Sequence, residues 1–282
     1  MAQGKRVGFV DLNVDNFHAN TYLKHIRGAL VKRGYTVEGC FGLMDEPSRA
    51  WALKNNVPYF SDPAALNKVS DCFMVMAPSN PEAHLELCQA VFPFGKPTYV
   101  DKTFAPDSKT ARKIFALADK HGTVVQTTSA LRYSEVQEYV QQAGGASSVQ
   151  HMVTWGSAGS FDEYAIHPTE MAVSCLGFEA ESLMRRGTEK YSQLLINFSR
   201  RRTAVVNVHV MGETPYSAAV TTDKVTRYIA VDGANLFVKA ASAILDFFDQ
   251  KRPTIPREES LLIRRILDVA KQPQALKRFV RL

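Results

Sequence analysis

The stretch Val75–Ala105, VMAPSNPEAHLELCQAVFPFGKPTYVDKTFA, decides the fold. An apolar run ends at Ala77-Pro78-Ser79, an amphipathic helical segment follows, and Gly95-Lys96-Pro97 turns the chain into a short strand, Thr98–Val100. Strand, crossover helix and strand in that order are the unit from which parallel sheets are built. Asp101-Lys102-Thr103 then stands beyond the carboxyl end of the second strand, the edge of an open α/β sheet at which ligands bind. Lys102 is therefore a candidate for chemistry, set against the plainer reading of a surface lysine past a strand end.

The same alternation extends to both sides. Arg6–Asp11 reads as a buried strand, and Phe17–Arg33 as a helix with Ala19, Tyr22, Leu23, Ile26 and Leu30 on one face and Gly34 as its stop. Tyr35–Phe41 is a second strand, Ser48 is placed to cap a helix running to Asn56, and Val57–Phe60 is a short strand. A helical turn after Pro63 leads to the central strand Cys72–Ala77, and the helix of the opening stretch runs from Asn80 to about Phe92. Beyond Lys102 come a helix from Pro106 to His121, stopped by Gly122, and a closing strand, Thr123–Thr128. Residues 1–128 are thus expected to form an α/β, Rossmann-like, doubly wound parallel sheet.

From Ser129 the pattern changes. After a short helix, Tyr133–Ala143, strand-like runs dominate: Ser148–Trp155, Ser192–Phe198, Ala204–Met211, Ser217–Thr221 and Arg227–Val231, interrupted by a helix at about Tyr164–Leu176. Helices at Leu236–Gln250 and Arg257–Lys271 close the chain. Residues 129–282 are expected to form an α+β domain with a mostly antiparallel open sheet. Val206, Val208 and Val210 alternate with Asn207 and His209, which predicts one face buried against helices or a second subunit. A homo-oligomer through this sheet is expected.

Composition narrows the function classes. In 282 residues, 45% hydrophobic and 22% charged content is that of an ordinary globular protein. The net charge of +6 is spread along the chain. Its one dense run, Arg200-Arg201-Arg202, reads as a solvated hairpin turn, because no aromatic platform for nucleic acid is interleaved with it. Cys40, Cys72, Cys88 and Cys175 have neither CxxC nor metal-ligand spacing, so reduced structural thiols, no metal site and a cytoplasmic setting are expected. The amino terminus lacks a signal-type apolar core, and no run is long enough to span a membrane. The expected partner is a small molecule, with neither nucleic acid nor membrane involved.

Three stretches together resemble the glucose–fructose oxidoreductase/inositol dehydrogenase (Gfo/Idh/MocA) family. Ala77-Pro78…His84…Gly95-Lys96-Pro97…Asp101-Lys102-Thr103 is similar to the family's Thr-Pro…His…Gly-Lys…Glu-Lys-Pro signature. Glu163-Tyr164-Ala165-Ile166-His167-Pro168-Thr169-Glu170 is similar to its Asp-x-Gly-x-His-x-x-Asp, and Phe237…Phe247…Arg252-Pro253…Glu258-Glu259 to its closing helices. The resemblance implies a first domain that binds NAD or NADP and a second that covers the nicotinamide. It implies a hydroxylated substrate, a sugar or polyol, that loses a hydride. Carried over, the catalytic residues are Lys102, Glu163 and His167. A secondary alcohol needs a base for its proton while the hydride leaves; His167 titrates in the right range, and Lys102 suits a developing alkoxide. Glu163 and His167, four apart, would share a helix face. Plainer readings stand beside these: His167-Pro168 suits a first helical turn, Glu163 is an acid favoured by a helix dipole, and His84 is a packing or capping residue.

The cofactor expectation rests on Asp11, Leu12, Asn13 and Asn16 in the first turn and on Ala77, Pro78, Asp101 and Lys102 at the later strand ends. Here the chain departs from the family. Val7–His18, VGFVDLNVDNFH, places Asp11, Asn13 and Asn16 where the family writes Gly-x-Gly-x-x-Gly. Asn13 tolerates the positive φ of a tight turn. Asp11 opposes a phosphate: two unit charges about 4 Å apart at an effective dielectric near 20 repel by roughly 4 kcal/mol. Either its carboxylate points away or the pyrophosphate sits elsewhere. No acid stands at the end of the second strand for the adenosine ribose. The polar cluster of Asp11, Asn13, Asp15, Asn16, His18 and Asn20 suits helix capping by Asp15 or Asn16, or a ligand with hydroxyls, such as a sugar, or a cation. Two further readings stay open: a family relative that binds a carbohydrate-like ligand or a partner without redox chemistry, and a redox-neutral lyase or NAD-assisted glycosidase.

Overall fold

The computed structural model describes residues 5–282. The chain folds as two units: one runs to Thr128 and takes in Phe237–Ile255, the other comprises Ser129–Leu236 and Pro256–Leu282.

In the first unit the order is β1 (Arg6–Asp11), α1 (Phe17–Arg27), β2 (Thr36–Gly42), α2 (Asp45–Asn55), α3 (Pro63–Val69), β3 (Cys72–Val75), α4 (His84–Val91), β4 (Thr98–Val100), α5 (Ser108–His121) and β5 (Val125–Thr127). The five strands are parallel in the order β2-β1-β3-β4-β5. Every residue of β3 is buried, as a parallel strand covered by helices on both faces requires. The order reverses between β1 and β3, so the carboxyl ends of those strands open the crevice in which such sheets hold ligands.

Local chemistry moved several elements. Gly28 ends α1 at Arg27, and a separate turn, Val31–Arg33, is stopped by Gly34 at φ 74°. Val57–Phe60 supplies only an isolated bridge, Cys40 to Tyr59. Ser48 is not a cap: α2 already starts at Asp45, and the buried Ser48 Oγ accepts the Val14 N–H at 3.3 Å. Gly42 makes that approach possible, since a Cβ there would lie 2.0 Å from Ser48 Oγ.

The helix α9, over Leu236–Gln250, belongs mostly with this first unit, whereas its sequence position suggested the second. Its Ala241, Ile244, Leu245, Phe247 and Phe248 lie in one core with Tyr22, Tyr35 and Trp51. Burying each large side chain of that face contributes about 1.5–3 kcal/mol. Polar ties fix its register: Arg33 reaches Asp246 at 2.8 Å and Asp249 at 2.7 Å, and the Tyr35 hydroxyl donates to Asp249 at 2.9 Å.

The second unit contains α6 (Glu135–Gln142), β6 (Val149–Ala158), α7 (Phe161–Tyr164), α8 (Ile166–Leu176), β7 (Ala180–Gly187), β8 (Tyr191–Phe198), β9 (Thr203–Val210), β10 (Ser217–Thr222), β11 (Thr226–Ala230), α10 (Arg257–Ala270) and β12 (Val280–Arg281). Its seven strands run β11-β10-β6-β9-β8-β7-β12, antiparallel except for the β6–β9 pair. Arg200 and Arg201 make the β8–β9 turn with φ 59° and 60°. Val206 and Val208 are buried in one core with Met171, Ala172 and Val173 of α8, so the chain's own helix covers that face. Asn207 lies on the opposite face in register with Trp155 and Gln193, beside the Val205–Leu195 pair. Trp155, Val205 and Leu195 are only half-buried there. Among the described residues no helix is long and apolar enough to cross a membrane.

Phe247→Ala is expected to lower the unfolding free energy by about 3–5 kcal/mol. Denaturant titration measures the loss, and hydrogen exchange should report lost protection in β1 and β3. Unchanged protection there would contradict the packing of α9 into this core.

Candidate functional site

Asp11 ends β1 and is 1% exposed. Its Oδ2 accepts from Asn16 Nδ2 at 2.8 Å and its Oδ1 from the Asn13 N–H at 3.3 Å. The Ala77 N–H is a third donor. Ala77 itself lies at φ 53°, a left-handed conformation that a Cβ disfavours by roughly 1–2 kcal/mol. Burial pushes the Asp11 carboxyl up to about 7, against the pull of its three hydrogen bonds, and the charge of Asp101 adds to the rise.

The surrounding amides are also engaged from within. Asn16 is the cap that the sequence allowed: its Oδ1 accepts the His18 and Ala19 N–H groups, each at 3.0 Å, at the start of α1. Asn13 Oδ1 accepts the Asp15 N–H at 3.0 Å, and the Val14 carbonyl accepts the Asn16 N–H at 2.9 Å. The turn after β2 is fastened to this loop by the Leu43 N–H on the Asp11 carbonyl at 3.1 Å and the Met44 N–H on the Leu12 carbonyl at 2.8 Å.

At the end of β4, Asp101 is buried. The Tyr99 hydroxyl lies 3.1 Å from its Oδ1 and 2.8 Å from the Thr128 carbonyl, and its Oδ2 is paired with His18 Nδ1. Burial alone would raise this carboxyl, but His18 and Lys102 hold it below the ordinary carboxylate range. Phe17, Tyr22 and Phe237 meet the His18 ring edge-on. Lys102 is 5% exposed, and its Nζ donates to the Pro78 carbonyl at 3.0 Å. His84 is fully buried, with Nε2 against the Met76 carbonyl and Nδ1 3.0 Å from the Phe104 carbonyl. Burial keeps its pKa below the usual histidine value. It is the packing residue of the two readings, and it fastens the end of β3 to the segment after β4 that carries Lys102.

In the second unit, His167 Nδ1 lies 2.8 Å from Ser129 Oγ, and its ring packs against Tyr164 and Tyr216. Burial, with a smaller contribution from Tyr164, pushes the Tyr216 hydroxyl up to about 12. Ser129 is fixed in turn, because its N–H donates to Glu170 Oε2 at 2.7 Å. Glu170 and Glu259 flank Arg132, whose guanidinium stands 3.7 Å from Glu170 and is hydrogen-bonded to Glu259. Burial opposes the Arg132 charge, and the carboxylates outweigh it, so its pKa is raised. Glu163 and His167 do not share one regular helix: α7 ends at Tyr164, α8 starts at Ile166, and Ala165 joins them. The Glu163 N–H is capped by Ser160 Oγ at 3.2 Å.

The residues expected to hold a cofactor therefore converge on the ends of β1, β3 and β4, with Leu12 contributing its backbone. Tyr99, Ser129 and Arg132 escaped the sequence reading of the site, as did the role of Glu170 and the pairing of His18 with Asp101. His18 had a signal, two residues past the cap of α1. Ser129 and Arg132 had none, since their partners lie 38 to 127 residues away. A dinucleotide in this fold needs donors for anionic oxygens at the first strand–helix turn. The donors here suit an anion, and the one they hold is the Asp11 carboxylate. Among the described residues no group of His, Cys, Asp and Glu is arranged to hold a metal.

Residues 5–129 match a family described as oxidoreductase family, NAD-binding Rossmann fold (Gfo/Idh/MocA). No curated protein matches the chain. Among solved structures, a probable dehydrogenase from Thermotoga maritima is 14% identical with a TM-score of 0.83, covering 98% of each chain. A putative myo-inositol dehydrogenase from Sinorhizobium meliloti is 12% identical, TM-score 0.81, covering 98% of this chain and 99% of that one. The myo-inositol dehydrogenase of Lactobacillus casei in complex with NAD(H) and myo-inositol is 12% identical, TM-score 0.82, covering 99% and 97%. At these identities the likeness is one of fold, and it extends through both units.

A carboxyl with a folded pKa of about 7 and an unfolded one near 4 contributes stability that is complete below about pH 4 and lost as the pH rises through about 7. The stability of the native chain relative to Asp11→Asn is therefore expected to fall between those limits and to level off above them. Urea titrations at stepped pH measure the difference, and a flat difference would contradict the burial of an ionisable Asp11.

Proposed function

We propose, from the match of residues 5–129 to the Gfo/Idh/MocA oxidoreductase family, that the protein oxidises or reduces a hydroxylated small molecule, a sugar or polyol, with NAD or NADP. The observation that carries the reading is Lys102, buried at the end of β4 on the Pro78 carbonyl and beside the Asp101–His18 pair. A lysine enclosed at a sheet edge, with its position fixed by backbone and by a buried carboxylate, suits a charge that develops during reaction. Nicotinamide supplies the hydride acceptor when bound. Asp11, Asn13 and Asn16 in the first turn, with Ala77 and Pro78 after β3, are the residues assigned to hold the cofactor.

Lys102 is assigned to the substrate oxygen, where its ammonium stabilises alkoxide character. His167 is assigned as the group that takes the hydroxyl proton, with Ser129 fixing its Nδ1 side and Glu170 fixing Ser129. Glu163, in the cap turn ahead of α8, is assigned to substrate hydroxyls. The four buried, unpaired cysteines suit the reducing cytoplasm. The half-buried sheet face around Trp155, Val205 and Leu195 is assigned to self-association.

A panel of polyols and sugars, incubated with NAD and with NADP, tests the activity. No reduction of either nicotinamide with any of them would sink the reading. Lys102→Met and His167→Asn are each expected to lower kcat/KM by about 100-fold to 10,000-fold while the protein stays folded. Trp155→Glu is expected to yield monomers by light scattering, and a native chain that is already monomeric would refute the self-association.

A further inference from the structure

The anion held at the first turn belongs to the chain itself. Asp11 ends β1 with its carboxylate on three donors drawn from two places: Asn16 Nδ2 and the Asn13 N–H in the following loop, and the Ala77 N–H after β3. Backbone donors converging at a strand–helix turn are the means by which this fold takes up phosphate oxygens. A second anion cannot use donors that a carboxylate already occupies, and its charge would meet an ionised Asp11 in a buried setting. We propose, resting on the dinucleotide reading above, that the Asp11 carboxylate and the cofactor phosphates compete for these donors, so that dinucleotide binding requires Asp11 to take up a proton. Protonation removes the internal anion and leaves a neutral acid whose O–H can donate.

The groups around Asp11 allow this. Beyond the end of β4 the charged neighbour is Asp101, on which His18 of α1 and Lys102 act. The charge of Asp101 acts on Asp11, and among the described residues Asp101 has His18 and Lys102 against it whereas Asp11 has amides. α4 presents His84, whose nitrogens face carbonyls. β3 contributes the Ala77 backbone, the turn after β2 the Leu43 N–H, and α2 the Ser48 hydroxyl, which is engaged by Val14. Burial places the Asp11 carboxyl near 7, so both of its forms are populated around neutrality.

The test is calorimetric titration of the full chain with NADH and with ADP-ribose, between about pH 5.5 and 8.5, in buffers of different ionisation enthalpy. The expected result is uptake of close to one proton on binding above pH 7, with affinity falling about tenfold per pH unit there and levelling below. Asp11→Asn should abolish the proton uptake and bind at the high-pH end as tightly as the native chain binds at the low-pH end. Binding by Asp11→Asn or Asp11→Gly with none by the native chain would also support the competition. Three results would overturn it: pH-independent affinity without proton uptake, an unchanged pH dependence in Asp11→Asn, or no binding by native and both variant chains when all give native circular dichroism. Proton-linked binding without turnover of any polyol would leave this inference standing and remove the redox reading. Turnover with pH-independent binding would do the reverse.

Discussion

A carboxylate buried among amide donors organises the first unit. Among the described residues no cation stands against Asp11, and hydrogen bonds from Asn16, Asn13 and Ala77 offset its desolvation. Those bonds fasten three segments at once: the end of β1, the loop into α1 and the turn after β3. Because the bond to Ala77 holds a residue in a left-handed conformation, it also fixes the direction of Pro78, whose carbonyl receives Lys102. His84 completes the frame from below by tying Met76 to Phe104. A change at Asp11 therefore reaches Lys102 through backbone, with no side-chain contact between them required.

The second unit solves a similar positioning problem with charge rather than neutral donors. Arg132 stands between two buried acids, and one of them, Glu170, holds the Ser129 that meets His167. Buried ion clusters of this kind add little net stability over apolar packing, yet removing one member leaves an uncompensated charge. Their use here is geometric. The ring of His167 is held by a serine fixed through its backbone, so its orientation does not depend on a flexible side chain.

The parallel sheet was legible because its strands are apolar runs punctuated by Gly and Pro, and Val75–Ala105 contains both signals. α9 was misassigned, since periodicity reveals an apolar face without naming the core that receives it. β7 was missed because Glu181, Arg185 and Arg186 obscure its alternation at the sheet's margin. In the site, residues close in sequence could be read: Asn16 as a cap, Asp101 and Lys102 at a strand end. The inward turn of Asp11 followed from neither spacing nor composition, because it depends on an amide 66 residues further along the chain. The Ser129–His167 and Arg132–Glu259 pairings were hidden for the same reason.

The lodging of Phe237–Ile255 in the first unit bears on how the chain is made. The parallel sheet emerges from the ribosome before the second sheet, but its core lacks Ile244, Phe247 and Phe248 until residues 129–236 have been synthesised. The unit whose strands are made first thus waits for a helix made after most of the second unit. During synthesis the surface that will receive α9, including Tyr35 and Trp51, stays uncovered while all the strands of the second sheet except β12 are being added. A nascent chain in that condition presents apolar surface to chaperones throughout that interval. For the same reason a fragment cut at Thr128 would be a sheet without its closing helix, whereas joining 237–255 to its end by a short linker would restore a complete core.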